Sequence, residues 1–310
     1  MLVSSMTRPD YLKKGDVVGI AAPSRWVTEK EIEPFLKILS GWGLTCKLAP
    51  NLFTRDHQLA GDKDTRAREL LALLNDPEVK AVFCARGGYG AVHLLDELSG
   101  SKLVIPPKWI VGFSDVTVLH LLMQCKFHCQ SLHGAMPYQS GTGDGMDPGS
   151  YESMRKALFG EALQYSFTGH SLNNPGHSSG VLAGGNLSVI YSLTGTNLIP
   201  DADDLILFLE DVDEYLYHID RMMYNLKLSG LLGRIKGLVV GWMNGMHDNE
   251  IPYGKDAYRI IHDAVSEYDY PVCFGFPAGH AEPNLALIMG SEVELEVNDE
   301  NCSLRFTNNG

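Results

Sequence analysis

The chain of 310 residues carries 38 Asp and Glu against 25 Lys and Arg, a formal charge of -13, and is 45% hydrophobic and 20% charged. That length accommodates one large or two medium domains, and that apolar content supports a sizeable core and excludes wholesale disorder. The acidity argues against nucleic-acid binding by counterion release and against attraction to anionic lipid, while leaving room for an acidic substrate held by local donors.

No apolar run approaches the roughly 18–20 residues that span a bilayer. The longest, such as residues 205–209 and 237–243, have strand length. Residues 1–10 contain neither an apolar core segment nor a small-residue cleavage site, so no signal peptide is expected. The six cysteines (Cys46, Cys84, Cys125, Cys129, Cys273 and Cys302) have no framework spacing. That points to free thiols in a reducing compartment and to a cytoplasmic protein.

In chain order, residues 17–22 (VVGIAA) form an apolar run ending at Pro23-Ser24. Thr28 and Glu31 then make a capping box for a helix that stops near Gly41. Asp64 is placed to cap a second helix, whose apolar face is Leu70, Leu71, Leu73 and Leu74. Residues 81–85 (AVFCA) read as a buried strand running into Arg86-Gly87-Gly88-Tyr89-Gly90. Residues 109–113 (WIVGF) read as another, running into Ser114-Asp115 and a helix through Leu122. Short apolar strands alternating with helices predict a parallel sheet covered on both faces.

Residues 140–180 change character. Gly141-Thr142-Gly143-Asp144-Gly145 and Asn173-Asn174-Pro175-Gly176 flank a short helical piece, and the low apolarity predicts a linker. Beyond it come Val181-Leu182-Ala183-Gly184-Gly185-Asn186-Leu187, the run 205–209, a helix over 215–228 and a strand over 238–241. Near the end, Glu292, Glu294 and Glu296 alternate with Val293, Leu295 and Val297, a turn at Asp299-Glu300-Asn301 follows, and residues 303–306 return antiparallel. The expected architecture is α/β. An N-terminal doubly wound, Rossmann/flavodoxin-like domain covers 1–165 and a linker covers 166–180. A smaller C-terminal α/β domain, with antiparallel β at its end, covers 181–310.

Three places carry candidate chemistry. At Gly112-Phe113-Ser114-Asp115 a sharp strand-to-helix turn would raise the Ser114 hydroxyl and aim the Asp115 amide at the same space, as in a nucleophile elbow. Val116-Thr117 departs from the G-x-S-x-G pattern, and the bland alternative is Ser114 as an ordinary helix cap. The Arg86–Gly90 turn offers backbone amides to a phosphate or an oxyanion, although it matches neither G-x-G-x-x-G nor a Walker A loop. A tight turn that needs small residues for packing explains it equally well. Glu210, at the end of the run 205–209, and His280, after Phe274-Gly275-Phe276-Pro277-Ala278-Gly279, supply the carboxylate and imidazole that a serine nucleophile needs. On residue patterns alone, Asp211 competes with Glu210, and His133 with His280. Cys125, His128, Cys129 and His133 have ligand types that suit zinc, but buried thiols and a satisfied histidine are the favoured reading. Cys84, inside an apolar strand, is a poor nucleophile candidate.

Taken together, these segments resemble the LD-carboxypeptidase family (muramoyltetrapeptide carboxypeptidases, serine peptidase family S66). The resemblance rests on six motifs in the family's order: residues 15–24 (GDVVGIAAPS), Arg86-Gly87-Gly88-Tyr89-Gly90, Gly112-Phe113-Ser114-Asp115-Val116-Thr117, Gly184-Gly185-Asn186-Leu187-Ser188, Leu207-Phe208-Leu209-Glu210-Asp211 and Gly279-His280. It implies a Ser-Glu-His triad carried by Ser114, Glu210 and His280. The serine would lie on the N-terminal domain, the other two on the C-terminal domain, and the active site in the cleft between them. It also implies a homodimer and no metal or organic cofactor. The expected reaction is hydrolysis of the L,D peptide bond to the terminal D-Ala of the murein tetrapeptide, a step of peptidoglycan recycling. The Asp115 amide and an amide of the Gly87-Gly88 turn would hold the oxyanion. Arg86 would hold the substrate carboxylate or form a structural ion pair. Pro277-Ala278 departs from the family's usual approach to the histidine. A microcin C self-immunity peptidase of the same family is the alternative within this class, and it should carry base-stacking aromatics in the linker, where this chain has Tyr151, Phe159, Tyr165 and Phe167 but no Trp. A non-catalytic α/β ligand-binding protein using the Arg86–Gly90 loop is the alternative outside it.

Overall fold

The computed structural model describes residues 6–100, 103–141, 147–200 and 203–307. Residues 1–5 of the segment considered for a signal peptide, and most of the Gly141–Gly145 motif, lie outside them. The chain divides into two units, Met1–Glu161 with Leu285–Met289 and Ala162–Asn284 with Gly290–Gly310.

The first unit runs β1 (Val17–Ala21), α1 (Glu29–Gly41), β2 (Thr45–Leu48), α2 (Lys63–Asn75), β3 (Val79–Cys84), α3 (Leu95–Leu98), β4 (Trp109–Gly112), α4 (Thr117–Phe127), β5 (Ser131–His133) and α5 (Pro148–Phe159). The capping box forms as the sequence predicts. The Thr28 hydroxyl accepts from the Glu31 amide, and the Glu31 carboxylate accepts from the Thr28 amide. Helix α2 is capped by Asp62 rather than Asp64, because its first turn starts two residues earlier and the Asp62 carboxylate accepts from the Thr65 amide at 2.7 Å. Asp64 instead sits in the first turn, where a carboxylate opposes the positive end of the helix dipole. Phe35 of α1 meets Phe83 of β3 edge to face at 5.2 Å, both rings fully buried. Burial of a side chain of this size contributes about 1.5–3 kcal/mol.

The strand order of this sheet starts β2-β1-β3-β4-β5, all parallel. This is the flavodoxin-like winding, which changes direction between β1 and β3, so the carboxyl ends of β1, β3 and β4 lie side by side at the switch point. The sixth strand, Leu287–Met289, comes from the far end of the chain and pairs antiparallel with β5. Three residues long and fully buried, it has no period for sequence reading to detect.

The second unit runs β6 (Gln164–Thr168), β7 (Gly176–Asn186), α6 (Leu187–Leu193), β8 (Leu205–Val212), α7 (Leu216–Leu228), β9 (Ile235–Asn244), α8 (Ala257–Val265) and β10 (Val272–Phe274). After β11 (Leu287–Met289), which belongs to the first sheet, it ends with β12 (Glu292–Val297) and β13 (Asn301–Phe306). Its sheet has the order β10-β9-β8-β7-β12-β13-β6. The β7–β10 half is parallel and the β12, β13, β6 half antiparallel. The antiparallel hairpin expected at the C-terminus is thus present. Residues 166–180, expected as a linker, instead carry the end of β6 and the start of β7. These strands are poor in apolar residues, and their partners β13 and β12 lie more than 100 residues away, so nothing local marks them. The helical piece expected within residues 140–180 is α5, capped by Asp147, and it belongs to the first unit. Among the described residues no helix is long and apolar enough to cross a membrane.

Candidate active site

Three loops leave the adjacent carboxyl ends of β1, β3 and β4, and each contributes to one cluster. Ser114 follows β4 with φ at +63°. An L side chain in that left-handed region is strained by roughly 1–2 kcal/mol, and only the surrounding fold can hold it there. The capping alternative is not what forms. Ser114 opens a short 3-10 turn through Val116, and the cap position falls on Phe113. The sharp turn is therefore an elbow in the backbone sense, made without a glycine two residues on.

Gly87 packs directly against the serine. An added Cβ there would lie 3.1 Å from Ser114 Cβ and 3.3 Å from Ser114 Oγ, so only backbone fits beside the hydroxyl. Gly88, with φ at +103°, turns the chain immediately afterwards. Asp115 locks these pieces together. Its carboxylate, 4% exposed, accepts from the Ser24 hydroxyl at 2.6 Å and from the Ala91 amide at 2.8 Å, so one side chain ties the β1 loop and the glycine turn to the elbow. Burial pushes the Asp115 acid up, opposed by those two hydrogen bonds and by the nearby Arg66 charge. Arg66 reinforces the same knot, donating from Nη1 to the carbonyls of Pro23 at 2.5 Å and Gly90 at 2.8 Å.

His120 supports the elbow from below. Its Nε2 meets the Gly112 carbonyl at 2.9 Å and its Nδ1 meets Ser131 Oγ at 2.8 Å. A carbonyl can only accept, so Nε2 carries the proton and Nδ1 accepts from the serine hydroxyl. Full burial pushes this imidazole down to about 4, which keeps it neutral. Arg86 is engaged elsewhere: its guanidinium lies 3.8 Å from Glu31 Oε1 and 4.9 Å over the Tyr138 ring.

In the second unit the acid and the imidazole meet. Glu210 is 0% exposed at the carboxyl end of β8, and its Oε2 lies 2.6 Å from His280 Nδ1. The close approach depends on Gly279, at φ +119°, where a Cβ would lie 2.7 Å from Glu210 Oε2. The loop that carries Pro277-Ala278 is held by its own contacts. The Gly279 amide donates to Asn284 Oδ1 at 2.9 Å, Trp242 Nε1 donates to the Pro283 carbonyl at 3.0 Å, and Ala278 is fully buried. Burial pulls the His280 imidazole down, but the Glu210 charge and hydrogen bond outweigh it and leave its pKa raised. Glu210 Oε1 is buried with no hydrogen-bond partner among the described residues, so little besides His280 disperses the carboxylate's charge.

Asp211, the competing carboxylate, serves a different purpose. It accepts from Asn186 Nδ2, Ser188 N and Val212 N, each at 2.9 Å. Burial and then the neighbouring Glu210 charge push it up to about 7. His133, the competing histidine, is fully buried in β5 with its ring 5.6 Å from Phe113. Strand β5 is short because His128 in left-handed geometry ends α4 and pairing starts only at Ser131. Among the described residues no three His, Cys, Asp or Glu side chains are grouped to hold a metal. Burial pushes Cys125 up to about 12 and raises Cys84 as well, so neither is a ready thiolate. Sequence reasoning thus named the serine, the glycine turn and the acid–histidine pair, and missed Ser24 and Arg66. Ser24 closes the first of the six motifs, after an apolar run, but no role was assigned to it.

Family models describe the same two regions. The LD-carboxypeptidase N-terminal domain matches residues 18–134 and the LD-carboxypeptidase C-terminal domain matches residues 179–295. A probable murein peptide carboxypeptidase of Bacillus subtilis (strain 168) is 31% identical over 290 residues, covering 93% of this chain and 91% of the relative. The protein belongs to the LD-carboxypeptidase family. The crystal structure of muramoyltetrapeptide carboxypeptidase from Oxalobacter formigenes superposes with a TM-score of 0.83 at 25% identity, covering 94% of this chain and 99% of that one. The microcin C7 self-immunity protein MccF of Escherichia coli is a more distant relative, 23% identical over 94% of each chain.

Proposed function

We propose that the protein is a serine-type LD-carboxypeptidase that releases the terminal D-Ala of the murein tetrapeptide, with Ser114, Glu210 and His280 as its triad. The observation that carries the reading is the 2.6 Å Glu210–His280 pair, in a chain whose Ser114 is held at positive φ on a strand-to-helix elbow. Glu210 occupies His280 Nδ1, so Nε2 is the nitrogen that serves as general base for the nucleophile. Ser114 Oγ attacks the scissile carbonyl as its proton passes to His280. The tetrahedral oxyanion takes the Asp115 amide and an amide of the Gly87-Gly88 turn. His280 then protonates the leaving amine of D-Ala, and water repeats the cycle on the acyl-enzyme. Arg86 acts from its ion pair with Glu31, fixing the base of the glycine turn.

The microcin-type alternative draws no support from the four aromatics on which it depends. Tyr151 packs on Phe35, Phe159 on Trp42, and Tyr165 and Phe167 on Phe276, so all four are spent on packing. The six free cysteines fit a cytoplasmic enzyme of peptidoglycan recycling. A homodimer fits Tyr217, Tyr224 and Leu228, which share one exposed face of α7. Mass-spectrometric product analysis tests the activity: D-Ala should leave the L,D-linked tetrapeptide and stay on the D,D-linked pentapeptide. Release from the pentapeptide alone, or from neither, defeats the proposal. Labelling of Ser114 by a serine-directed phosphonate would exclude a purely ligand-binding role.

A further inference from the structure

Under the peptidase reading, the substrate ends in a free carboxylate one residue beyond the scissile bond, and that charge needs a partner near Ser114. Arg86 and Arg66 are both committed, the first to Glu31 and Tyr138, the second to the carbonyls of Pro23, Gly61 and Gly90. Arg25 is different. It is exposed, and among the described residues its guanidinium makes a single hydrogen bond, to Gln58 Oε1 at 3.4 Å, with no carboxylate in salt-bridge range.

Its placement relates directly to the serine. The Arg25 amide donates to the Gly87 carbonyl at 3.3 Å, and the side chain lies across Gly88, where a Cβ would sit 2.6 Å from Arg25 Nε. Gly87, the adjacent residue, is the one whose Cβ would touch Ser114 Oγ at 3.3 Å. One peptide unit therefore separates the hydroxyl from the Arg25 stem, a span on the order of 10 Å or less. The substrate needs a similar distance. Attack places Oγ about 3 Å from the scissile carbon, and the carboxylate oxygens of a single terminal residue lie roughly 4–5 Å beyond that carbon. A guanidinium at hydrogen-bond distance past them closes the gap.

We propose that Arg25 anchors the free C-terminal carboxylate of the peptide substrate, and so sets the protein's restriction to removing one terminal residue. This rests on the peptidase reading. The planar fork of arginine suits bidentate capture of a carboxylate and penalises a neutral terminus. Gly88 has a second purpose under this assignment, because only a residue without Cβ lets the Arg25 stem lie flat beside the turn that serves the oxyanion. The seat is cationic in an acidic protein, so it supplies locally what the chain's overall charge opposes.

The test compares two tetrapeptides that differ only at the C-terminus, a free acid and a primary amide. The native protein should prefer the acid by about 10- to 100-fold in kcat/KM, the range expected when one charged hydrogen-bonding partner is made neutral. Arg25→Gln should keep its thermal transition and bring that ratio close to one, chiefly through KM for the acid, and Arg25→Lys should restore part of the preference. An Arg25→Gln variant that still prefers the acid as strongly as the native protein overturns the anchor and leaves the peptidase reading standing. A native protein that cleaves neither peptide overturns that reading and the anchor with it.

Discussion

The two units prepare their functional side chains by different physical means. In the first, backbone conformation does most of the work: Ser114 is held at φ +63°, Gly87 is pressed against its hydroxyl, and the buried Asp115 and Arg66 side chains bind three loops into one arrangement. In the second, Glu210 sits at an irregularity in the β8–β9 pairing and Gly279 lets His280 approach it, but burial does most of the work. A carboxylate with no exposed surface, one oxygen on His280 and the other without a partner among the described residues, concentrates its field on the imidazole. The nucleophile side should therefore respond to changes of shape, and the acid–histidine side to changes of charge and pH.

Substitutions can break that contrast, beginning with the largest effect. Ser114→Ala should lower turnover of the L,D-tetrapeptide by about 10⁴-fold or more while the protein stays folded, since triad members act as a unit. Wild-type turnover in that variant sinks the serine mechanism. Glu210→Gln should cost about 10³–10⁴-fold and also move the pH profile. Glu210 raises the His280 pKa, and a general base must be neutral, so the acidic limb of kcat/KM should shift to lower pH when the charge is removed. An unmoved limb means that His280 is not the titrating base.

Asp115→Asn sharpens the shape side. It keeps the volume but leaves the Ser24 hydroxyl and Ala91 amide with a weaker acceptor, and a small misplacement of the elbow against the Gly87 turn should reduce kcat by about 10- to 100-fold with KM little changed. A change in KM alone would assign Asp115 to binding instead. The comparison of Ser114→Gly with Ser114→Ala reads strain directly. Both lose the hydroxyl, but only glycine relaxes at positive φ, so the glycine variant should be more stable by about 1 kcal/mol in thermal or urea unfolding. Equal stabilities would show the elbow to be unstrained.

The smallest effect concerns Asp211, raised from 3.8 to about 7. Between those values the folded chain retains a proton that the unfolded chain has released, so stability should fall as pH rises across the window. Asp211→Asn should flatten that part of the curve of Tm against pH, and an unaltered slope would falsify the shift.

Much of this was legible without coordinates. The Thr28–Glu31 capping box, the buried strands ending at Cys84 and Gly112, and the hairpin of β12 and β13 all announce themselves through patterns a few residues long. Strand β11, and strands β6 and β7 with their distant partners β13 and β12, did not, because three buried residues have no period and a glycine- and serine-rich strand reads as a turn until its partner is known. The choice of Glu210 over Asp211 was likewise out of reach of residue patterns and came only with the family resemblance. Adjacent carboxylates on one strand are equivalent in sequence, and only the fold sends one to His280 and the other to Asn186 and Ser188.

Sequence alone therefore settled the α/β class and, through six motifs in order, the LD-carboxypeptidase family, and it named a candidate nucleophile. These rest on short-range signals: hydrophobic period, capping residues, and glycines after strands. Tertiary structure decided what each side chain is occupied with. Arg86 is committed to Glu31 while Arg25 lies across Gly88 and, among the described residues, its side chain hydrogen-bonds only Gln58, and Asp115 holds Ser24 and Ala91 while Glu210 holds His280. The partners in these contacts stand from 24 to 91 residues apart wherever hydrogen bonds define them. Nothing in a local pattern can choose among the carboxylates and cations of an acidic chain, because that choice is made by burial and by which loops the sheet order brings together.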